Sequence, residues 1–221
     1  LPLLHNPEVE IRRTAALSLG KLAVVDAVPG LITALRDPDA LVRQYAAKAL
    51  GAMGDPAQLL TADALLTSLT DLAPAVRSAA VQALGSVGVP QTLSERLTAL
   101  LASHHPASER AATRVVALLD TPPTGLDIFP LLKSADAPVR QAAITALAEN
   151  SDTGIRLPSI LQEMVQVDPD AGVRSEAAYR LGKMGGAESI ASLTLAAEHD
   201  PSPVVQAWAR WALHQLQEGR S

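Results

Sequence analysis

The sequence contains no cysteine and very few aromatic residues. Among its 221 residues are two Trp, two Tyr and one Phe, although hydrophobic residues make up 48% of the chain. The absence of Cys excludes disulfides, thiolate nucleophiles and Cys-ligated zinc or iron–sulfur centres. The apolar residues are mainly Ala, Leu and Val, and such small aliphatic side chains favour close helix–helix contact over a thick β-sandwich.

The sequence also lacks an excess of basic residues and a long apolar run. The formal net charge is −5, whereas nucleic-acid-binding proteins usually carry a basic face. No apolar run reaches the roughly 18 residues of a membrane span. No charged-then-apolar signal segment opens the chain. We expect a cytoplasmic protein for which nucleic acid is an unfavoured partner.

One pattern recurs along the whole chain. The segment DPDALVRQYAAKALG at 37–51 has an apolar residue before an Arg, and a second apolar residue seven positions after that Arg. The Arg or its substitute recurs every 30–34 residues, at Arg12, Arg43, Arg77, Arg110, Arg140, Arg174 and Gln206. Such regular self-similarity predicts a stack of about seven similar units, each of which buries its apolar face against its neighbours.

Each copy of the pattern predicts a helix with recognisable ends. Asp37 and Asp168 can cap it, and the proline after each can take the first helical position. Four copies end in a glycine where a left-handed residue would close the helix, namely Gly20, Gly51, Gly85 and Gly182. Between the copies, Leu and Ile recur at three- and four-residue steps in 28–36, 62–70, 93–101 and 125–133. This spacing predicts one more helix in each unit, which precedes the repeated helix. We call it the first helix of the unit and the repeated helix the second.

The predicted fold is therefore all-α, a right-handed α-solenoid (superhelix) of about seven helix pairs. We expect a single solenoid over residues 1–221, with units at 1–22, 26–52, 61–87, 91–119, 125–149, 156–184 and 187–217. Residues 1–4 are too short to provide the first helix of the first unit. Because a solenoid end without a cap exposes apolar surface, we expect the natural chain to extend upstream.

The repeated pattern resembles the HEAT repeat, in particular the short bacterial type also found in phycobilin-lyase-like proteins. The resemblance rests on D-P-x-x-x-V-R-x-x-A-A-x-A-L-G at 37–51, with close echoes at 6–20, 71–85 and 168–182. In such stacks, repeated Asp and Arg residues typically form a ladder between adjacent units. The resemblance thus implies a structural ladder rather than a row of phosphate-binding arginines, formed by Asp37, Arg43, Asp71, Arg77, Asp168 and Arg174.

Function is expected on the variable positions of the repeated helix. The positions two and five residues after the Arg share one helix face, which by resemblance lines the concave side of the superhelix. Four of the five aromatic residues fall on these positions, and Trp and Tyr are frequent binding anchors. The predicted anchors are Tyr45, Tyr179, Trp208 and Trp211. The residues predicted to set polar specificity are Lys48, Gln82, Gln141 and Glu176. The fifth aromatic residue, Phe129, is predicted to lie in the core.

The fourth copy departs from the pattern, with Glu109 at the Val position and no closing glycine. His104, His105 and Glu109 could be imagined as metal ligands, but nothing supplies a third helical ligand. We expect no metal and no cofactor. The irregularity is interpreted as a local change in curvature or a hinge between 1–85 and 125–217.

These patterns favour a non-catalytic protein–protein interaction scaffold that binds a protein or peptide in its concave groove. The sequence has no GxxxxGK[ST] phosphate-binding loop. An alternative is a chromophore-lyase-like subunit that handles a tetrapyrrole or a similar small ligand, which would need a deep apolar pocket. Two interpretations of Trp208 and Trp211 stay open: a binding patch, or a cap folded over the last helix.

Overall fold

The computed structural model is built from α-helices joined by short turns, and it describes residues 2–54, 58–119, 123–149 and 156–218. Twelve α-helices lie in these ranges: α1 Val9–Leu22, α2 Val28–Ala34, α3 Ala40–Met53, α4 Gln58–Ser68, α5 Pro74–Val87, α6 Ser94–Leu101, α7 Pro106–Leu118, α8 Ala137–Glu149, α9 Arg156–Val167, α10 Ala171–Met184, α11 Ile190–His199 and α12 Pro203–Glu218. Short 3₁₀-helices cover Pro2–His5, Val25–Ala27, Gln91–Leu93, Phe129–Lys133 and Ala187–Ser189. The described ranges contain no strand, which agrees with the all-α prediction.

The chain divides into two compact units, Leu1–Asp127 and Ile128–Ser221. The sequence predicted one solenoid, and the division falls near the start of the predicted fifth repeat, 125–149. In the first unit, α2 pairs with α3, α4 with α5 and α6 with α7, while α1, α3, α5 and α7 stack in that order. In the second unit, α9 pairs with α10 and α11 with α12, while α8, α10 and α12 stack. Among the residues that the structure describes, no helix is long and apolar enough to cross a membrane.

The repeated apolar positions form the core between the helix layers. The Val directly before the repeated Arg or its substitute is 0% exposed in five copies: Val42, Val76, Val139, Val173 and Val205. The Leu eight residues after this Val is at most 2% exposed in four copies: Leu50, Leu84, Leu147 and Leu181. In the first repeat Ile11 is 38% exposed instead. Its repeat has only the 3₁₀-helix Pro2–His5 in place of a first helix.

The first helix of the fifth repeat is shorter than predicted. The segment 125–133 forms only the 3₁₀-helix Phe129–Lys133. A longer helix would place Pro130 in its interior, where the missing N–H and the ring would interrupt the hydrogen-bond pattern. Phe129 is consequently half-buried rather than in the core as predicted. Its ring lies 5.8 Å from Cζ of Arg156.

Helices α3 and α10 begin two residues later than predicted. Their N-cap residues are Asp39 and Asp170, and each carboxylate accepts hydrogen bonds from two backbone N–H groups of the first turn. Asp37 and Asp168 accept instead from the backbone N–H of these N-cap residues, at 2.8 and 2.9 Å. The prediction that Asp37 and Asp168 cap the helices was wrong because the preceding turn uses their carboxylates.

The predicted helix-closing glycines also have a different role. The second helices end at residues with positive φ, among them Ala23, Gly54, Gly88 and Gly185. The residues predicted to close the helices lie inside them: Gly20, Gly51, Gly85 and Gly182. A Cβ atom on Gly51 would lie 2.7 Å from Cα of Ala83, and one on Gly182 would lie 2.7 Å from Cα of Ala212. At these positions the absence of a side chain allows consecutive second helices to approach closely.

Candidate functional site

Three aromatic side chains of the second unit contact one another across α10 and α12. Tyr179 lies 5.2 Å from both Trp208 and Trp211, measured between ring centroids, and the two Trp rings are 5.7 Å apart. Tyr179 stacks on Trp211 at 28°, whereas Trp208 meets both rings edge to face, at 73° and 80°. Both geometries are favourable for aromatic pairs. We call these three residues the aromatic cluster.

The close approach of α10 and α12 positions the aromatic cluster. Trp208 and Trp211 are three residues apart and therefore point to one side of α12. Tyr179 occupies on α10 the same repeat position as Trp211 on α12. A Cβ atom on Gly182 would lie 3.0 Å from Cζ3 of Trp211. Gly182 thus leaves the space into which the Trp211 ring fits.

The aromatic cluster offers an outer surface rather than a cavity. The rings contact one another at centroid distances of 5.2–5.7 Å, which leaves no room for a ligand group between them. Trp208 is 39% exposed, while Tyr179 and Trp211 are half-buried. The arrangement can therefore bind a partner by apolar contact with the exposed face of Trp208 and the edges of the other two rings.

Charged side chains surround the aromatic cluster. Cζ of Arg180 lies 5.4 Å and Nζ of Lys183 lies 5.9 Å from the Tyr179 ring centroid, within the range of cation–π attraction. Arg180 donates hydrogen bonds to Glu176 at 2.8 Å and to Glu149 at 2.5 Å. Burial lowers the pKa of Arg180, but these two carboxylates outweigh it, so the pKa is raised. Arg180 therefore stays charged, and it links α8 to α10.

The structure brings together half of the predicted binding residues. Glu176, Tyr179, Trp208 and Trp211 lie on adjacent positions of α10 and α12, and Thr145 of α8 donates a 3.0 Å hydrogen bond to Glu176. Gln141 is exposed on α8 of the same unit. The other predicted residues lie in the first unit and are Tyr45, which is half-buried, and the exposed Lys48 and Gln82.

Sequence reasoning did not single out Glu149, Thr145, Arg180 and Lys183 as neighbours of the aromatic cluster. Lys183 could have been found, because it follows Tyr179 by four residues and so faces the same side of α10. Tyr45 forms no ring contact with any residue in the described part of the chain. The first unit therefore has no counterpart of the aromatic cluster among its described residues.

A second group of charged residues, apart from those at the aromatic cluster, forms ion pairs between the loops of consecutive repeats. The Nε and Nη2 groups of the repeated Arg in one repeat donate to an Asp of the next repeat. This Asp lies six residues before the repeated Arg of its own repeat, or before Gln206 in the seventh. The pairs are Arg12–Asp37, Arg43–Asp71, Arg140–Asp168 and Arg174–Asp200. The distances are 2.6–3.1 Å, and the side chains are 5–17% exposed. These ion pairs form the ladder in the structure.

The ladder differs from the prediction in four residues. Arg12, Arg140 and Asp200 belong to it, and their positions in the repeated motif could have revealed them. Arg77 forms no ion pair with any residue that the structure describes. His104 stands in the fourth repeat at the position that Asp71 takes in the third, so the acid that would complete this pair is missing from its place.

The histidines of the fourth repeat do not converge on a site. His104 is exposed and has a φ of 54°. Nδ1 of His105 lies 3.1 Å from Oγ of Ser108, and Glu109 is buried. Over the described ranges, no group of three or more His, Asp or Glu residues is arranged to hold a metal ion.

Asp39 ties the first repeat to the second, and this contact predicts a pH dependence of stability. Arg13 donates to its carboxylate at 2.7 and 2.9 Å. This hydrogen bond and those from the N–H groups of Val42 and Leu41 outweigh burial and lower the pKa of Asp39 to about 2. A folded-state pKa below the unfolded value of about 3.9 means that the stabilisation is fully present above about pH 4. It is lost as the pH falls towards 2.

We therefore expect the free energy of unfolding, measured by urea titration, to fall between pH 4 and pH 2. Asp39→Asn keeps a capping side chain but removes the charge that pairs with Arg13. The free energy of unfolding of this variant should fall less between pH 4 and pH 2 than that of the unmodified chain. Near neutral pH, the pH dependence of the two proteins should be the same. An identical pH profile in both proteins would contradict the assignment of this effect to Asp39.

The stacked helix pairs, the buried Val and Leu positions and the ladder define an α-solenoid. A family model described as HEAT repeats matches residues 1–71 and 125–214. The chain therefore belongs to the HEAT-repeat family, as its sequence pattern predicted. The unmatched segment contains the second helix of the third repeat and the whole fourth repeat, which are helical in the structure as α5, α6 and α7.

Solved structures of repeat proteins share this fold. An archaeal HEAT-like repeats protein from Thermococcus onnurineus is 16% identical with a TM-score of 0.57, covering 98% of this chain and 100% of that one. The Escherichia coli protein YibA is 19% identical with a TM-score of 0.57, covering 98% and 90%. The complex of CpcE and CpcF of phycocyanin lyase from Nostoc is 23% identical with a TM-score of 0.51, covering 97% and 92%. No curated protein sequence matches significantly.

Proposed function

We propose that the chain is a non-catalytic interaction module that binds a protein or peptide on the second-helix face of α8, α10 and α12. The observation that supports this function is the aromatic cluster, whose member Trp208 is 39% exposed although it contacts two other rings. Large aromatic side chains are the most frequent anchors of protein interfaces. A HEAT-repeat fold supplies the rigid helices that hold them.

The mutual contacts of the three rings favour binding on energetic grounds. A side chain that is already ordered loses little conformational entropy when a partner covers it. The surrounding charges, among them Lys183 and the 57% exposed Glu149, form a polar rim. Interfaces commonly combine an apolar centre with such a rim, which excludes water from the anchors and sets orientation.

The alternative role of a C-terminal cap applies to the two tryptophans unequally. Trp211 is half-buried, stacks on Tyr179 and fits the space left by Gly182. These contacts favour a structural contribution from Trp211. Trp208 has the more exposed ring and meets its neighbours edge to face. It is therefore the residue that best separates binding from stability.

Trp208→Ala is expected to weaken partner binding by about 2 kcal/mol, or about 30-fold in Kd. A partner captured with the unmodified chain would first be identified by mass spectrometry and then titrated by isothermal calorimetry. The melting temperature should fall less than in Trp211→Ala, because Trp208 is the more exposed ring and does not fill the space left by Gly182. Leu195→Ala is the matched control, since Leu195 is 51% exposed on α11 of the same unit.

Three results would contradict this proposal. Unchanged affinity of Trp208→Ala would show that Trp208 is not a binding anchor. A loss of stability equal to that of Trp211→Ala, again with unchanged affinity, would make both tryptophans a cap over the last repeat. A loss of affinity in Leu195→Ala as large as in Trp208→Ala would move the interface to the first helices.

The two other candidate functions have less support. The likeness to phycocyanin lyase shows the fold alone, and a tetrapyrrole would need a deep apolar pocket. A cavity of about 350 Å³ beside α10 and α12 is lined by glycines, Lys183, Met184 and Gln215 among others, and it is open to solvent. Nucleic acid has less support because the aromatic cluster has no excess of basic charge: Glu149 and Glu176 are both paired with Arg180, and Lys183 is the other cation beside it.

A further inference from the structure

The ladder is interrupted between the third and fourth repeats, at Arg77. An intact ion pair of the ladder shows what is missing there. The carboxylate of Asp71 accepts from Nε and Nη2 of Arg43 at 2.6 and 3.0 Å, and from the backbone N–H of Ala73 at 2.8 Å. Each complete position of this kind is thus a carboxylate-binding site built from an Arg of one repeat and filled by an Asp of the next.

The Arg77 side chain is held in place as the ladder arginines are. Its Nη1 donates to the carbonyl oxygens of Asp71 and Leu72 at 2.7 and 3.0 Å. Nη1 of Arg43 donates to the carbonyl oxygens of Asp37 and Pro38 at the same 2.7 and 3.0 Å. Because these bonds fix the guanidinium, the Nε and Nη2 edge of Arg77 is oriented in advance for a carboxylate.

The fourth repeat does not supply that carboxylate. The position equivalent to Asp71 is His104, and the position equivalent to Ala73 is Pro106, which has no N–H. No residue in the described ranges accepts a hydrogen bond from Nε or Nη2 of Arg77. The helices around this junction are also arranged differently, since a Cβ atom on Gly85 would meet Cβ of Leu118 at 3.1 Å rather than the backbone of an Ala.

We propose that Arg77 is a binding site for a carboxylate supplied from outside the repeat stack. The planar fork of Arg matches a carboxylate with two parallel hydrogen bonds, and such bidentate pairs are stronger than neutral hydrogen bonds. The intact positions of the ladder hold carboxylates in this geometry. The site lies in the first unit and is independent of the aromatic cluster. Its ligand is either a small free carboxylate or an acidic side chain of a partner protein.

The test is an NMR titration of the full chain labelled with ¹⁵N-arginine, which resolves the Nε–H signal of each Arg. Sodium acetate would replace sodium chloride at constant ionic strength and pH 7. We expect a saturable shift of the Arg77 signal, while the signals of Arg43 and Arg174 stay in place because their partners are already bound. An end-blocked peptide that contains Glu, compared with the same peptide containing Gln, distinguishes an acidic side chain from a free carboxylate.

His104→Asp should complete the ladder and thereby close the site. The acetate response of Arg77 should disappear in this variant, and its melting temperature should rise. His105→Asp adds the same charge one residue away and is expected to keep the response. The proposal is overturned if Arg77 shows no saturable shift with acetate, or if His104→Asp leaves the shift unchanged. A stronger response to phosphate than to acetate would overturn the assignment of a carboxylate. Trp208→Ala should leave the response intact, so the outcome is separate from that of the proposed function.

Discussion

Replacing Arg174 with alanine is expected to lower the free energy of unfolding by about 3–5 kcal/mol, because it leaves a buried carboxylate without its partner. Arg174 donates to Asp200 from Nε at 2.7 Å and from Nη2 at 3.0 Å. The Asp200 side chain is only 5% exposed. Without the guanidinium, water cannot reach this carboxylate freely, and its charge is no longer balanced.

The Arg174 guanidinium also ties together the loop between α9 and α10. Its Nη1 donates to the carbonyl oxygens of Asp168 and Pro169 at 2.8 and 3.3 Å. Burial raises the pKa of Asp200, but the hydrogen bonds from Arg174 and from the N–H of Ser202 outweigh it, so the pKa is lowered. A lowered folded-state pKa means that the pair stabilises the fold at neutral pH, and that this contribution is lost as acid protonates Asp200.

Arg77→Ala is the matched control for this prediction. Arg77 has the same two bonds to loop carbonyl oxygens but no acidic partner among the described residues. Its removal should cost about 1–2 kcal/mol, the usual range for a pair of lost hydrogen bonds. Urea unfolding of both variants at pH 7 would measure the difference. Equal losses for Arg174→Ala and Arg77→Ala would contradict a stabilising role for the ion pair with Asp200.

The repeated architecture could be predicted from the sequence because its signals are local and repeated. A Val or Ile and a Leu eight residues apart indicate one buried face of a helix, and six copies at similar spacing leave little ambiguity about the fold. The fully buried Val42, Val139 and Val205 show this agreement at distant points of the chain. The length of the first helix of the fifth repeat was predicted wrongly. The apolar spacing in 125–133 indicates a full helix, but Pro130 limits it to the 3₁₀-helix Phe129–Lys133.

The details at helix ends could not be predicted because two neighbouring residues compete for one role. In Asp-Pro-Asp, either Asp37 or Asp39 is a chemically suitable cap. Each of the two carboxylates binds an arginine of the preceding repeat, in the pairs Asp37–Arg12 and Asp39–Arg13. The choice depends on the turn before the helix, in which Asp37 accepts from the N–H of Asp39. A glycine near a helix end is likewise typical both of a closing residue and of a helix crossing. Only the position of the next helix distinguishes these roles.

The helix face that carries the aromatic cluster could be predicted from the sequence, but the contacts between its three rings could not. The spacing of Trp208 and Trp211 placed both on one side of α12. The contact of both with Tyr179 depends on how closely α12 approaches α10. The sequence also did not indicate that Glu149 of α8 reaches Arg180, because charged side chains of neighbouring repeats have several possible partners.

Gly51→Val is expected to destabilise the first unit by about 3 kcal/mol, through a clash at the crossing of α3 and α5. A Cβ atom on Gly51 would lie 2.7 Å from Cα of Ala83 and 2.8 Å from its Cβ. Both distances are below van der Waals contact, and the nearest atom belongs to the backbone, so a rotamer change cannot relieve the clash. Helix α5 would have to move away from α3 and expose part of the core around Leu84.

Ala52→Val provides the matched control, because Ala52 is the exposed next residue of the same helix. It introduces the same β-branched side chain and should cost about 0.5 kcal/mol through helix propensity alone. Urea unfolding would give the free energies, and amide hydrogen exchange in α3 and α5 would localise the effect to the first unit.

Gly85→Val adds a graded comparison to this pair. A Cβ atom on Gly85 would lie 3.1 Å from Cβ of Leu118, which is a side-chain atom and can yield more easily than the backbone of Ala83. Its expected cost therefore lies between those of Ala52→Val and Gly51→Val. If Gly51→Val were as stable as Ala52→Val, α3 and α5 could separate without loss. The repeated glycine would then have no part in setting the distance between repeats.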